Sequence, residues 1–217
     1  MSITDELRRR IAAFDNVAKS YPVRLAAIRA CAAAEELADR KRSIDADDSL
    51  SPKGKADALR KAAAERVEQA KIDAKNVGQL IAEMRDARQK LGACDIDKSD
   101  FAAAMLRTQV RAWLMEQGPG VAMSHLAAGD QTILEAVAEA PLGMLGLNRA
   151  EVETVMMRLA EVRNPAQVRE IEQLTEAANV AQAAVTIQLN IMQAAGGAEQ
   201  QQVSELLAIM RGEDPQG

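Results

Sequence analysis

The sequence predicts an all-α protein, an elongated helical bundle with two long coiled-coil-like helices, about 52–91 and 165–195, and several shorter ones. Three observations predict it. Ala, the best helix former, is by far the commonest residue, and β-branched residues are few. Only Phe14, Tyr21, Phe101 and Trp113 are aromatic. Helix start signals recur along the chain. A core built of Ala with ten Met as gap filler implies slim, closely packed helices.

The first helix starts near Ser2 or Thr4, and Ser2 has capping-box spacing to Asp5. Tyr21-Pro22 opens a second helix over about 22–42. SIDADDSLSPKG, residues 43–54, clusters turn residues and reads as a linker. Ser51-Pro52 is an N-cap followed by Pro at the first helical position, and the long helix to Leu91 runs from there. Its seam is Val67, Ala70, Ala74, Val77, Ile81 and Met84, with steps alternating three and four, the spacing of a coiled-coil stripe. Gly78 interrupts this helix without ending it.

LGACDIDKSDF is a break in which Asp97 or Ser99 can cap a helix over about 99–117. That helix carries Phe101, Met105, Leu106, Val110, Trp113 and Leu114, and Gly118-Pro119-Gly120 stops it. Shorter helices follow over about 121–128, 130–139 and 148–163, the last capped by Asn148 with Glu151. Asn164-Pro165-Ala166-Gln167 starts the second long helix, and Gly196-Gly197 ends it. A short amphipathic piece with Val203, Leu206, Leu207 and Met210 closes the ordered chain.

Charge divides the sequence. Residues 1–100 hold 20 Lys and Arg against 18 Asp and Glu, while 101–217 hold 7 against 14. This suggests a charged helical region over 1–92 and a charge-poor one over 93–217, or one continuous domain. A net charge of −5 without a basic stripe argues against a sequence-specific or general nucleic-acid binder. The one basic run, Arg8 to Arg10, reads as the solvated face of the first helix.

Residues 177–197, AANVAQAAVTIQLNIMQAAGG, carry no charge. On a helical wheel Asn179, Gln182, Thr186, Asn190 and Gln193 fall within an arc of about 80°. Almost everything else there is apolar, so the helix is expected to be buried on most sides. It is either the centre of the chain's own bundle or a subunit-interface helix whose amides meet a neighbour or a polar lumen. The polar groups argue against a stable membrane span.

No residue set supplies catalytic chemistry. His125 is the single histidine, and its neighbour Ser124 points elsewhere on a helix. Cys31 and Cys94 lie apart, without zinc-ligand or disulfide-framework spacing. DADD, 45–48, lacks the spaced ligands and Gly of a calcium loop. SPKGKAD lacks the pattern of a phosphate loop. Met105, Met115, Met123, Met144, Met156 and Met157 are expected in the core. The expectation is a non-enzyme with no cofactor and no metal. MSITDELRRR lacks a signal-peptide core and implies synthesis in a reducing cytoplasm.

The segment HLAAGDQTILEAVAEAPLGMLGL, 125–147, with its GD, IL, AV, AP and LxGL, resembles a pattern in helical proteins of tailed phages and prophages of proteobacteria. Such proteins are small and commonly encoded near the virion structural genes. The likeness covers about a tenth of the chain and transfers no catalytic residue. It implies a structural virion protein, made in the bacterial host cytoplasm. Such a protein would assemble with itself and other virion proteins as a ring or bundle at the neck, portal or ejection apparatus. The residues expected at its interfaces are the amide stripe of 179–193 and the seam of 67–84. The alternative is a cellular helical adaptor or chaperone-like module. A third class is a helical enzyme whose cofactor does the chemistry, recognisable by a bound chromophore or metal.

Overall fold

The computed structural model describes residues 2–92 and 100–212, with residues 92 and 119–123 described by backbone alone. The described residues form α-helices and turns, with no strand. The helices are α1 Ile3–Ala12, α2 Tyr21–Asp45, α3 Pro52–Ala64, α4 Val67–Gly92 and α5 Phe101–Gln117. They continue with α6 Pro119–Ala128, α7 Gln131–Ala138, α8 Arg149–Arg163, α9 Pro165–Ala194 and α10 Gln200–Met210.

The chain condenses into two compact units, one of Met1–Arg85 with Glu172–Gly217 and one of Asp86–Ile171. The chain leaves the first unit within α4 and returns to it within α9. The second unit is thus an insertion in the first, and the division does not follow the change in charge at 92/93.

Local chemistry sets the helix ends. Ser2 accepts from the Asp5 amide at 3.1 Å while the Asp5 carboxylate accepts from the Ser2 amide at 2.9 Å, a complete capping box. Asn148 and Glu151 make the same pair at α8. Ser51 caps α3 by accepting from the Gly54 amide, with Pro52 in the first turn. Asp100 caps α5 by accepting from the Ala103 amide at 3.0 Å. The other candidate caps there, Asp97 and Ser99, lie outside the described residues, as does Cys94.

The expected helix over 52–91 is two helices. It breaks at Glu65-Arg66, where the Arg66 amide donates to the Ala63 carbonyl three residues back, tightening the turn. No Gly or Pro marks this break. Packing makes it: Ala62 and Ala63 are buried, Arg66 pairs with Glu36 of α2, and Gly197 lies against Ala63. A Cβ at Gly197 would meet that of Ala63 at 2.3 Å, so the end of α3 sits directly on the turn after α9. Tertiary contact overrides local helix propensity.

The first unit's core joins α1, α2, α3, α4, α9 and α10. Ala26, Ala27, Ala30, Ala63, Ala70, Ala74, Ala177, Ala178, Ala181 and Ala184 are all essentially inaccessible. Helices lined by methyl groups approach closely, and dense dispersion contacts replace large aromatic burial. Gly78 belongs to this logic: a Cβ there would stand 2.3 Å from the Ile209 carbonyl oxygen of α10. The second unit has its own core of Leu114, Leu126, Ile133, Leu134, Val137, Leu147, Val155 and Leu159.

Candidate interaction surfaces

The seam does not face outward. Val67, Ala70, Ala74 and Val77 are buried in the first unit's core, and Ile81 and Met84 are half-buried against it. The coiled-coil-like spacing is real, but its partners are the chain's own helices. A seam of small residues reads the same whether the neighbouring helix comes from another copy or from the same chain.

The amide stripe lies on the opposite kind of surface. In α9, Ala177, Ala178, Val180, Ala181, Ala184, Val185, Leu189 and Met192 are buried. Asn179 and Asn190 are exposed, and Gln182, Thr186 and Gln193 are half-buried. Gln193 donates to Gln200 of α10, and the rest of the stripe turns to solvent with Ala183 between. Gln188, off the stripe, is buried, and its Oε1 has no hydrogen-bond partner among the described residues. The outward face of α9 from 177 to 194 is therefore polar, small and uncharged.

This face contrasts with the rest of the first unit, whose surface is charged and holds several ion pairs. Arg8 meets Glu35 at 2.7 Å, Arg9 meets Glu6 at 2.8 Å, and Arg10 meets Glu176. The basic run is thus neutralised residue by residue and presents no free cationic stripe. Within the core, Asp73 is fully buried and held by Arg29 and Gln69 through Oδ1, while Oδ2 has no hydrogen-bond partner among the described residues. Burial pushes the Asp73 carboxyl up, against the pull of Arg29 and Gln69.

In the second unit α5 is inside out. Its arginines face inward: Arg107 is 3% exposed and donates to Glu139 at 3.0 Å. Arg111 reaches the same carboxylate at 3.0 Å and the Ala136 carbonyl at 3.3 Å. Arg163 of α8 donates to Glu135 at 2.7 Å. Burial raises Glu135, but the hydrogen bonds from Arg163 and Gln131 and the nearby cations outweigh it and hold its carboxyl below the ordinary range. The Arg111 hydrogen bond, with Arg107 and despite some burial, does the same for Glu139. Several hydrophobic side chains face outward, Phe101 83% exposed, Met105 63% and Met115 55%, while Leu114 and Val110 keep to the core. Together with exposed Met144, Met105 and Met115 depart from the expectation that the methionines are core filler. Met156 and Met157 are half-buried, and the Met123 side chain lies outside the described residues.

Placing Met105 and Met115 in the core missed this inversion. The available signal was charge spacing. Arg107 and Arg111 lie four apart, as do Glu135 and Glu139, so one face of α5 is electrostatically matched to one face of α7.

The residues examined for catalytic chemistry have structural surroundings. His125 stacks edge-on against Trp113, ring centroids 5.1 Å apart at 69°. Cys31 is buried in the first core, and burial pushes its thiol up. Asp47 accepts from the Ser49 amide and hydroxyl, and Lys55 donates to the Asp45 carbonyl, so DADD closes a turn. A cleft of about 780 Å³ in the first unit lies beside α3 and α10, with Asp57, Arg60, Lys61, Glu199 and Glu205 among its walls. It holds no Ser, Cys or His. Among the described residues no helix is long and apolar enough to cross a membrane. Comparison with family models, curated proteins and solved structures finds no match to this chain.

Proposed function

We propose that this chain is a non-enzymatic structural protein of a tailed-phage particle, made in the host cytoplasm and residing in the virion. It assembles with itself and with other virion proteins as a ring or bundle at the neck, portal or ejection apparatus. One observation carries the assembly reading: α9 offers solvent a long, uncharged face of amides and small side chains, on a unit whose other surfaces carry charges, several of them in ion pairs. Such a face desolvates at low cost and can hydrogen-bond a protein neighbour. The virion assignment adds the likeness of 125–147 to phage-encoded helical proteins. The alternative, a cellular helical adaptor, uses the same face.

The test is composition. Particles purified after induction of a lysogen that carries the gene should contain the chain at a fixed copy number. In solution, Gln182→Glu with Asn190→Glu should leave the fold intact and abolish incorporation, because the new charges would be stranded at an interface. Incorporation of the doubly substituted chain at the normal level would remove the α9 face from the assembly. Absence of the wild-type chain from particles would leave the adaptor reading.

A further inference from the structure

We propose that the outer face of α5 is a self-association surface, on which α5 of a second copy of this chain packs antiparallel. The proposal deepens the assembly reading above and rests on it, but its site lies in the second unit and fails independently.

Phe101, Met105, Thr108, Ala112 and Met115 succeed one another at steps of four, three, four and three. They occupy an arc of about 80° on α5, the narrow seam of a coiled coil rather than the broad face of a helix docked on a globular core. All five are exposed. The side of α5 that packs within the unit is the other one, carrying Arg107, Arg111 and Leu114. A helix that sequesters two arginines and leaves Phe and two Met in water is stable only where the outer face gains a partner or costs little to expose.

The occupant is argued from the seam itself. A two-fold interface sets each face against its own copy, so any charge in it is duplicated. Here Arg107 is turned inward onto Glu139, Arg111 spans from that carboxylate to the edge of the seam at Thr108, and the five seam residues themselves carry no charge. The one polar side chain is already satisfied: Thr108 Oγ1 donates to the Ala104 carbonyl at 3.0 Å and accepts from Arg111 at 3.0 Å. Thr108 can therefore enter an apolar interface without an orphaned hydroxyl.

The order of sizes fixes the direction. Thr108 lies midway between Phe101 and Met115. Antiparallel pairing about Thr108 sets Phe101 of one copy beside Met115 of the other, a favourable sulfur–aromatic contact. It also brings Met105 to within one residue's rise of Ala112 on the facing copy, long against short, so the layers interdigitate. Parallel pairing sets Met105 on Met105 and Ala112 on Ala112, which leaves alternate layers overfilled and void. The helix is about 25 Å long, with a footprint of roughly 300 Å² against the about 800 Å² per partner of a standard stable interface. The dimer is accordingly weak and concentration-dependent, and suits a contact that forms when copies are held together in an assembly.

Sedimentation equilibrium of the full chain from about 5 to 500 µM, bracketing a micromolar constant, tests this. Reversible association to a dimer is expected. Met105→Lys and Ala112→Glu, both at exposed positions, should each weaken it roughly tenfold or more while helicity is unchanged. The double variant should recover association, because the antiparallel register sets the new cation of each copy against the new carboxylate of the other, twice. A wild-type chain that stays monomeric throughout overturns the proposal, as does association that neither single change weakens. Failure of the double variant to recover overturns the antiparallel register. Flotation with anionic or neutral lipid vesicles that Met105→Lys abolishes, without self-association, would assign the face to lipid and overturn it too.

Discussion

At the scale of single residues, the buried guanidinium of Arg107 decides how much the second unit tolerates. Glu139 accepts from its Nε at 3.0 Å and also receives Arg111, so one carboxylate is shared by two cations, and Arg107 Nη2 has no hydrogen-bond partner among the described residues. The neighbouring Glu135 stands 4.0 Å from Arg107 and is itself engaged by Arg163. Glu139→Gln keeps the shape but strands a buried charge, and should destabilise the second unit by about 2–4 kcal/mol, the usual cost of breaking such a pair. Chemical denaturation read on Trp113 fluorescence checks this, and a loss of only a few tenths would mean that Glu135 takes over. The expected roles of His125 and Cys31 as packing residues were legible because each lacks the companions a reaction needs. The inward turn of Arg107 was not, because burying an arginine contradicts the ordinary ranking of residues by burial. Only the presence of two carboxylates on α7 makes it sound.

At the scale of elements, close approach governs. Gly78→Ala gains about 1 kcal/mol of helix propensity. It also drives a methyl into the Ile209 backbone carbonyl, which no side-chain rotation can relieve. Overpacking of this kind costs about 1–3 kcal/mol or more, so the substitution should lower the melting temperature and loosen α10. Hydrogen exchange of residues 200–210 is the direct readout, and unchanged protection would mean that α10 is not held by α4. Most helix boundaries could be read from caps and prolines: Ser2, Ser51, Asn148 and Pro165 all mark ends that the structure has. The break at Glu65-Arg66 could not, since its cause is Gly197, more than a hundred residues away in sequence. The seam of 67–84 was expected at an interface, but an apolar stripe does not say whose helix it meets, and in the structure it packs in the chain's own core. The amide face of 179–193 was legible as a narrow polar arc, and the structure turns it to solvent.

At the scale of the whole molecule, two cores with different polar anchors should respond differently to acid. Glu135 and Glu139 titrate below the ordinary range when folded. Their contribution is therefore present above the ordinary glutamate value and lost as pH falls through the depressed folded values. Asp73 titrates above its ordinary value when folded. Its contribution has the opposite sign: it favours the folded state at low pH and is lost as pH rises through the elevated value. The lowered carboxyls of Asp5, Glu6 and Asp47 in the first unit lie at its surface and owe their shifts to local bonds with Ser2, Arg9 and Ser49. Acidification below about pH 4 should therefore release exchange protection in 101–163 before it does so in α2, α4 and α9. Loss of both sets in one step would mean that the units unfold as one.

The order in which the segments lie along the chain also imposes a timetable on synthesis. The second unit is contiguous and has its whole core once α8 has left the ribosome. The first must wait with α1 to α4 for α9 and α10, which supply Ala177, Ala181, Val185, Leu189, Val203 and Met210 to the same core. At about 5–20 residues per second, that wait is on the order of ten seconds. During it a methyl-lined half-core is open to whatever is near, including the emerging α4 of another nascent chain. The paired surface charges of α1 and α2, already complete on the early segment apart from the link to Glu176, keep that intermediate dissolved until its missing third arrives.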